Sequence, residues 1–332
     1  MAVLAVTNPT LLDLARMTDP DGKIATIVEI LNQTNEILED MTWLEGNLPT
    51  GHRTTIRTGI PQPTWRKLYG GVQPNKGTTA QVTDSCGMLE AYAEVDVALA
   101  DLNGNTAEFR LQEDRTHLEG MNQTVASALF YANEATAPET FTGLAPRFNS
   151  SAAANGENII KGDGAGTDNT SIWLVVWGPN TVHGIVPKGS KAGFKMEDKG
   201  RCTIENVDGA GGRMEAYRSH YRWDCGLSVR DWRYVVRICN IDKSNLTKNA
   251  ASGSDLIDLM TQAIEMIPSI GMGRPVFYAS RMIRSFLRRQ VVNKIGNSTL
   301  TMDQVPGKKI VTFDGIPIKR CDALAADESL VT

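Results

Sequence analysis

The chain has no excess of positive charge. Its 332 residues include 34 lysines and arginines against 38 aspartates and glutamates, which gives a net charge of -4. This balance argues against a protein that coats nucleic acid by bulk electrostatic attraction. A protein that only encloses nucleic acid needs no basic excess, so that class of function stays open.

Long apolar stretches are also missing. No run approaches the roughly 20 apolar residues that a membrane-spanning helix needs. The apolar segment Met1–Val6 lacks the basic n-region of a signal peptide and is too short to be one. We therefore expect a protein that is made in the cytosol and has no membrane contact.

Cysteine and histidine are scarce and widely spaced. The cysteines form no Cys-x-x-Cys pair, which favours free buried thiols over a disulfide framework or a metal site. They are Cys86, Cys202, Cys225, Cys239 and Cys321. The histidines are scattered and form no His-x-x-x-His pair, and the chain has no Gly-x-Ser-x-Gly motif. They are His52, His117, His183 and His220. We predict no catalytic residues, no metal ligands and no cofactor, although a site assembled from distant residues stays open.

The strongest helical pattern covers residues 106–133. Apolar residues recur there every seven positions, which predicts one apolar stripe along a helix about 40 Å long. The stripe consists of Leu111, Leu118, Met121, Val125, Ala128 and Ala132. Acidic residues such as Glu113 and Asp114 occupy the other side, where a solvated surface is the ordinary explanation. The periodicity alone fits a coiled coil and a long core helix equally well.

A second helix is predicted near the start of the chain. Asp19 is a suitable N-cap, and Pro20 suits the first helical position. Two apolar stripes follow, one made of Ile24, Ile27, Val28, Leu31, Leu38 and Met41, the other of Ile30, Ile37 and Leu44. A helix that is apolar on two sides either lies in a core or is held by another subunit, and both readings stay open.

Residues 48–90 lack helical periodicity, because glycines and prolines interrupt them throughout. Arg53–Arg57 and Val82–Thr83 read as strand ends, so a long hairpin is predicted. Four apolar side chains at its middle have little nearby apolar sequence to pack against, which favours contact with another subunit. They are Ile60, Trp65, Leu68 and Tyr69. The alternative is a hairpin that folds back on its own domain.

The second half of the chain reads mainly as strands. Residues 172–177 and 182–186 are predicted to form a hairpin. Residues 217–238 alternate as a half-buried strand would, but the pattern changes parity, so a bulge or bend is expected between Val229 and Trp232. The Asp314-Gly315 pair predicts a tight hairpin with Pro317 on an edge strand.

Two helices are predicted among these strands. Ser254 is expected to cap the first, which Pro268 ends. The second covers residues 280–290 and carries a basic face made of Arg281, Arg284, Arg288 and Arg289. This face suits contact with DNA or with acids of a neighbouring subunit, and a solvated surface is the alternative.

The region after the long helix resembles a known family. Asn133 is followed by a loop with Pro138 and then by Phe141–Leu144, an arrangement similar to the end of the spine helix in major capsid proteins of tailed bacteriophages. The segments 308–318 and 321–324, with Glu328, look like the closing strands of that family. Within it, the chain most resembles capsid subunits of short-tailed phages of the type that infects Bordetella.

The resemblance implies an α+β fold of the Hong Kong 97 type. It implies four regions: an N-terminal arm and helix (1–48), an extended E-loop hairpin (49–90), a peripheral P-domain with the spine helix and long strands (91–250), and an axial α/β A-domain (251–332). No catalytic residue is carried over from the family.

The resemblance also implies a structural, non-enzymatic function. The chain is expected to self-assemble into hexamers and pentamers of an icosahedral phage head that encloses double-stranded DNA. Implied partners are a scaffolding protein, a portal and a decoration protein, with assembly in the host cytoplasm. Two alternatives stay open: a cellular nanocompartment shell on the same fold, and a cytosolic enzyme with a non-obvious site.

Overall fold

The computed structural model describes residues 33–102, 106–190, 194–205, 211–247, 253–293, 300–305 and 308–332. Its strands, in chain order, are β1 (Trp43–Glu45), β2 (Gly51–Gly59), β3 (Thr78–Asp96), β4 (Ile159–Lys161), β5 (Asn169–Trp177), β6 (Val182–Val186), β7 (Phe194–Glu205), β8 (Arg213–Val229), β9 (Val235–Asp242), β10 (Arg274–Ala279), β11 (Leu300–Val305), β12 (Lys308–Phe313) and β13 (Ile316–Arg320).

Its helices are α1 (Ile37–Asp40), α2 (Val97–Ala100), α3 (Thr106–Tyr131), α4 (Leu144–Arg147), α5 (Leu256–Glu265) and α6 (Arg281–Asn293), with 3-10 turns at Gly156–Asn158, Trp232–Tyr234 and Ile270–Met272. No helix within the ranges just given is both long and apolar enough to cross a membrane.

The chain divides into two compact units. The smaller contains Gln33, Met88–Ala126 and Lys191–Asp224. The larger contains Thr34–Gly87, Ser127–Ser190 and Cys225–Thr332. Strands β3 and β8 and helix α3 each contribute residues to both units.

Strand β5 lies at the centre of the larger unit. It pairs antiparallel with β9 on one side and β10 on the other. Each of these two neighbours has a further parallel partner: β4 pairs with β9, and β13 pairs with β10. Every residue of β5 and β9 is buried. Both faces of the sheet are covered here, which explains why β5 ends in an unbroken apolar run and not in an alternating one.

The two faces of this sheet have different covers. Helices α5 and α6 pack their apolar sides on one face, and the helical residues involved are Leu256, Met260, Ala263, Ile264, Ile283 and Leu287. On the other face, the ring of Trp173 lies 6.1 Å from those of Phe130 and Phe148, measured between centroids. These covers hold the sheet between two apolar layers.

The predicted hairpin of residues 172–186 is wrong, although both strands exist. β5 and β6 touch through a single parallel bridge between Trp177 and Val182. Thr181 Oγ1 donates to the carbonyl of Val176 at 2.6 Å, which closes a tight turn between the two strands. β6 therefore continues parallel to β5. β6 pairs instead with β1 and β8.

The irregularity expected near residue 230 is confirmed. β8 ends at Val229 and β9 begins at Val235, with a 3-10 turn between them. Beyond this irregularity the strand was expected to be half-buried, with Arg237 on its exposed side. This expectation is wrong, because Arg237 of β9 is buried. Its guanidinium donates to the Phe148 carbonyl at 2.7 Å and pairs with Glu328 at 2.8 Å. These partners compensate a charge that the alternating pattern assigns to solvent.

The C-terminal hairpin is confirmed at its turn. Asp314 and Gly315 have φ angles of 50° and 77°, the left-handed pair that suits a two-residue turn between β12 and β13. The edge position predicted for Pro317 is wrong, since β13 lies between β12 and β10. Proline is tolerated because the parallel pairing with β10 begins only at Ile318.

The first predicted helix is wrong within the described residues, because residues 33–36 are not helical and only one turn, Ile37–Asp40, is. α1 ends at Asp40, and Leu44 lies in β1. Asp19, Pro20 and the rest of the predicted helix up to residue 32 lie outside the described residues.

The cap predicted for α5 is displaced by one residue. Asp255 is the N-cap, and its Oδ1 accepts from the Asp258 N–H. Ser254 instead accepts from the Asp163 N–H through its hydroxyl, at 3.2 Å.

In the smaller unit, helix α3 packs on neighbouring strands. Its predicted extent is confirmed to within two residues at the C-terminal end. Phe109 is buried among residues of β3 and α2, and Met121 packs against Tyr221 of β8. The predicted stripe is wrong at its start, where Leu111 is 53% exposed. Residues two apart on a helix face nearly opposite sides, so the inward position of Phe109 turns Leu111 outward.

This orientation predicts opposite outcomes for two substitutions on α3. Val125 is 2% exposed, so Val125→Asp buries an unpaired carboxylate and should cost about 3 kcal/mol or more of the free energy of unfolding. Leu111→Asp should change it by less than about 0.5 kcal/mol. Urea unfolding of the unassembled subunit measures both. Equal midpoints for the two variants would contradict the observed helix orientation.

Candidate functional site

The hairpin predicted for residues 49–90 exists as β2 and β3. The strands pair antiparallel from Gly51 opposite Ser85 to Gly59 opposite Thr78. Residues 60–77 join them without regular structure, apart from a turn at Leu68–Tyr69. The hairpin is therefore an ordered two-stranded stem that carries a long irregular tip.

The tip, residues 60–77, exposes its large apolar side chains. Trp65 and Tyr69 are fully exposed, and Leu68 is 92% exposed. The complete set is Ile60, Trp65, Leu68, Tyr69 and Val72. Several large apolar side chains exposed in one loop are unusual on the surface of an isolated protein, and they favour an interaction surface. The structure thus brings the four sequence-predicted contact residues together in one exposed loop.

A polar turn holds the centre of the tip. The Gly70 N–H donates to the Lys67 carbonyl at 3.0 Å, and Arg66 Nε donates to the Gly70 carbonyl at 2.9 Å. Tyr69 has a φ angle of 62°, which is costly for a residue with a side chain. The turn presents the Tyr69 ring outward without apolar packing beneath it.

A buried polar cluster lies at the root of the hairpin. His52 of β2 and His183 of β6 meet edge to face, with ring centroids 5.7 Å apart. Asp84 of β3 lies opposite His52 in the ladder. Its carboxylate binds Arg147 Nη1 at 2.8 Å and accepts from Ser228 Oγ at 2.7 Å. Five segments that are distant in sequence therefore meet at this point.

Sequence reasoning missed this cluster. His52 and His183 are far apart in sequence, as their scattered positions indicate, but their rings lie against each other in space. The available clue was a histidine inside the apolar strand Val182–Val186, where a polar ring requires an explanation. No spacing rule identifies its partner.

The electrostatics of the cluster keep His183 neutral. The residue is fully buried, and neither ring nitrogen makes a hydrogen bond of good geometry. Burial, assisted by His52 and Arg230, lowers the pKa of His183 from 6.5 to about 4, while Asp84 and the backbone of Gly178 act in the opposite direction. Desolvation of the charged form is the largest cause.

The arginines of the predicted basic face all lie on α6, but in different surroundings. Arg281 Nη2 binds a carboxylate oxygen of Asp322 at 2.9 Å. The Arg289 guanidinium lies 5.1 Å from the ring centroid of Phe286 on the same helix. Only part of the predicted basic face is therefore available to an external anion.

Arg284 and Arg288 differ from the other two. Arg288 is exposed, whereas Arg284 is half-buried and its Nε has no hydrogen-bond partner. Burial and the nearby Arg288 and Arg320 lower the pKa of Arg284, while Glu36 opposes them. These two arginines lie one helical turn apart, and the Nε of Arg284 lacks an acceptor.

A third polar site lies near the C-terminal segment. The buried pair Arg237–Glu328 borders an open cleft of about 530 Å³ that residues 325–331 help to line. Tyr131 donates its hydroxyl proton to Glu328 and accepts from the Ala325 N–H. Burial and the Glu328 carboxylate raise the pKa of Tyr131. The charges satisfy each other, so the arrangement fastens the segment to the sheet.

The cysteines differ in burial. Cys225, Cys239 and Cys321 are buried thiols outside any disulfide, as predicted, whereas Cys86 and Cys202 are half-buried. Burial raises the pKa of Cys321 to about 12, which leaves it an unreactive thiol. Among the residues that the structure describes, no group of three or more His, Cys, Asp or Glu could hold a metal ion.

The α+β fold, with its extended hairpin, long helix and sheet-and-helix unit, is of the Hong Kong 97 type and defines a capsid shell subunit. A family model described as "Major capsid protein GP7" matches residues 19–332. The chain therefore belongs to this family of phage major capsid proteins, and its place is in the capsid of the virion.

Comparison with solved structures gives one strong similarity, which agrees with this assignment, and two weak ones. A chain in the structure of bacteriophage Epsilon15 is 42% identical, with 100% of this chain and 99% of that chain covered and a TM-score of 0.80. The capsid of bacteriophage JBD30 is 8% identical, with 96% of each chain covered and a TM-score of 0.45. The SrpI encapsulin of Synechococcus elongatus is 12% identical, with 66% and 91% covered and a TM-score of 0.43. No curated protein matches the chain significantly.

The buried histidine predicts acid sensitivity of the folded subunit. Between pH 6.5 and about 4 the unfolded chain binds a proton that folded His183 excludes, so stability falls as pH falls. From pH 7.5 to pH 4.5 this residue should account for about 2.5 kcal/mol of lost unfolding free energy. Urea unfolding at both pH values tests this.

The matched variants are His183→Phe and His117→Phe. His183→Phe should reduce the loss between the two pH values by that amount, because it removes the group that takes up the proton. His117→Phe, on the half-exposed side of α3, should leave the pH dependence unchanged. An identical pH profile for wild type and His183→Phe would contradict this explanation.

Proposed function

We propose that the chain assembles into hexamers and pentamers of an icosahedral phage head that encloses double-stranded DNA, with the hairpin tip buried against a neighbouring subunit. The observation that carries this proposal is the tip itself. Its apolar residues are exposed in the single chain, and glycines and prolines prevent the loop from folding into a core of its own.

The energetics favour burial of the tip by another subunit. Removing about 200 Å² of Trp65 from water at 25 cal/mol per Å² corresponds to about 5 kcal/mol before ordering costs. The entropy lost when the tip becomes ordered and when two subunits associate subtracts from this value. The net free energy of one contact is therefore modest. The contact recurs at every subunit of a shell, and weak contacts that recur in this way support a stable closed particle.

We extend the proposal to further features, for which family membership is the support. The chain acts as a building unit and not as an enzyme, and it assembles in the host cytoplasm with a scaffolding protein, a portal and a decoration protein. The four regions (1–48, 49–90, 91–250 and 251–332) act as arm, E-loop, P-domain and A-domain. A short tail and a Bordetella host remain predictions. The family match favours a phage head over a nanocompartment shell.

Shortening the tip should separate folding from assembly. Replacing Ile60–Lys76 with a short Gly/Ser linker removes side chains that are mostly exposed, so the thermal stability of the unassembled subunit should change little. The protein should nevertheless fail to form closed particles. Electron microscopy and sedimentation measure assembly, and thermal unfolding measures the fold. A linker variant that forms complete shells would defeat the proposal.

A finer test uses two single substitutions in the same loop. Trp65→Ala removes the largest exposed ring and should raise the protein concentration needed for assembly at least about tenfold, the effect of roughly 1.4 kcal/mol. Lys67→Ala is the matched control and should have little effect, because its polar side chain has little apolar surface to bury. Equal effects of the two variants would count against burial of Trp65 by a neighbour.

A further inference from the structure

Residues 325–332, here called the strap, lie in a groove of the larger unit that is built from distant elements. The polar contacts to the strap come from the end of α3, the loop before β4, and strands β5 and β9, which are 91 to 197 residues away in sequence. The side chains that form the groove are Tyr131, Ser151, Thr170, Ser171, Arg237 and Asn240.

The strap turns every third residue into the groove. Ala325 is half-buried, and Glu328 and Val331 are buried. The residues between them are exposed, namely Ala326, Asp327, Ser329 and Leu330. A repeat of three differs from that of a strand or an α-helix, and it fits an extended segment with three residues per turn. The groove therefore reads a spaced pattern: a small residue, then glutamate, then valine.

Glu328 is the central anchor of the strap. Its N–H donates to the Asn169 carbonyl at 2.9 Å, at the start of β5. β10 pairs with the later part of β5, so the first residues of β5 present a sheet edge to which the strap adds. The Glu328 carboxylate accepts from Tyr131, Ser171 and Arg237. Glu328 and Arg237 are both buried, so the groove selects a carboxylate at this position.

Asn240 provides a second anchor, which reads the peptide backbone. Its Oδ1 accepts from the Val331 N–H at 2.9 Å, and its Nδ2 donates to the Val331 carbonyl at 3.0 Å. Ser151 binds the Thr332 carbonyl through its own N–H and its hydroxyl, both at 3.0 Å. Because Asn240 is buried, its amide would lose both of these partners without the strap.

Contacts that do not involve the strap hold the groove in place. The Arg237 guanidinium donates to the Phe148 carbonyl at 2.7 Å and lies 5.1 Å from the ring centroid of Trp173. The Asn169 side chain donates to the Gly166 carbonyl at 2.6 Å. β5 and β9 also pair with each other. A site that other contacts already order loses less free energy when its ligand binds.

We propose that the groove is a peptide-binding site and that the strap is its tethered ligand. The ligand class is an extended peptide with glutamate three residues before valine, and the same sequence supplied as a separate peptide binds at the same place. In the intact chain the tether gives the strap a high effective concentration, so a free peptide competes poorly until the tether is cut. A subunit whose strap has been removed can therefore hold another polypeptide that carries this sequence. The site lies within one subunit and does not depend on the proposed assembly.

Cutting the tether tests the site. A protease recognition sequence inserted between Ala326 and Asp327, which are both exposed, allows the folded full chain to be cut there. After gel filtration removes the released segment, a fluorescent peptide of residues 327–332 should bind saturably, as measured by fluorescence anisotropy. The uncut protein should bind this peptide at least about tenfold more weakly, because its own strap competes. Absence of binding to the cut protein, or equal binding to both forms, would overturn the proposal.

Two variants of the peptide, each with one negative charge fewer, separate specific recognition from general charge attraction. Glu328→Gln should weaken binding at least about tenfold, because a neutral amide replaces the carboxylate that pairs with Arg237. Asp327→Asn is the matched control and should bind within about threefold of the original peptide, because Asp327 is exposed. Equal losses for the two peptides would overturn the assignment of Glu328 as the anchor.

A pair of variants in the cut protein tests the groove itself. Asn240→Gly removes both amide contacts and suits the φ angle of 54° at this position, and it should weaken peptide binding at least about tenfold. Asn180→Gly, at an exposed position in the turn after β5, should leave binding unchanged. Equal affinities of these two variants would show that Asn240 does not read the peptide.

A cut chain that unfolds without its segment still decides the question. Excess peptide of residues 327–332 should then restore the fold, detected by circular dichroism, because a ligand that binds only the folded state stabilises it. The Glu328→Gln peptide should restore less of the fold at the same concentration. A cut chain that the peptide does not refold would overturn the proposal.

Discussion

The burial of β5 and β9 on both faces is the constraint on which the larger unit depends. Every residue of these strands is inside, so the fold must supply an apolar cover on each side. Helices α5 and α6 form one cover, and the rings of Phe130 and Phe148 against Trp173 belong to the other. The one cation in β9 is tolerated only because Glu328 pairs with Arg237, and this pairing also fastens the C-terminal segment to the sheet.

The hairpin differs from β5 and β9, because one end of it is packed and the other end is exposed. Its tip has almost no apolar packing of its own, while its root is fully packed around the polar cluster of His52, His183 and Asp84. A rigid root fixes the direction in which the stem leaves the unit, and an unpacked tip can adapt to a partner. The buried ring of His183 carries a desolvation cost that an apolar ring would avoid, so this position does not favour stability alone.

Local chemistry accounts for most of what the sequence predicts correctly. The extent of α3, the β2–β3 hairpin and the Asp314-Gly315 turn all follow from neighbouring residues. Leu111 and Arg237 were misplaced because their orientation depends on elements that periodicity does not identify. The His52–His183 contact was missed for the same reason, since it exists only after β2 and β6 have come together. Exposed apolar residues in the tip were predictable because the surrounding glycines and prolines exclude a local core.

The apolar tip and the polar root of the hairpin contribute different physical effects to the proposed shell. Apolar burial supplies free energy but little direction, because it depends on area and not on angle. A guanidinium–carboxylate contact such as Arg147–Asp84 adds little net free energy after desolvation, yet it depends strongly on geometry. The subunit therefore places its directional contacts at the root, inside its own fold, and leaves the apolar surface of the tip free to adapt to a neighbour.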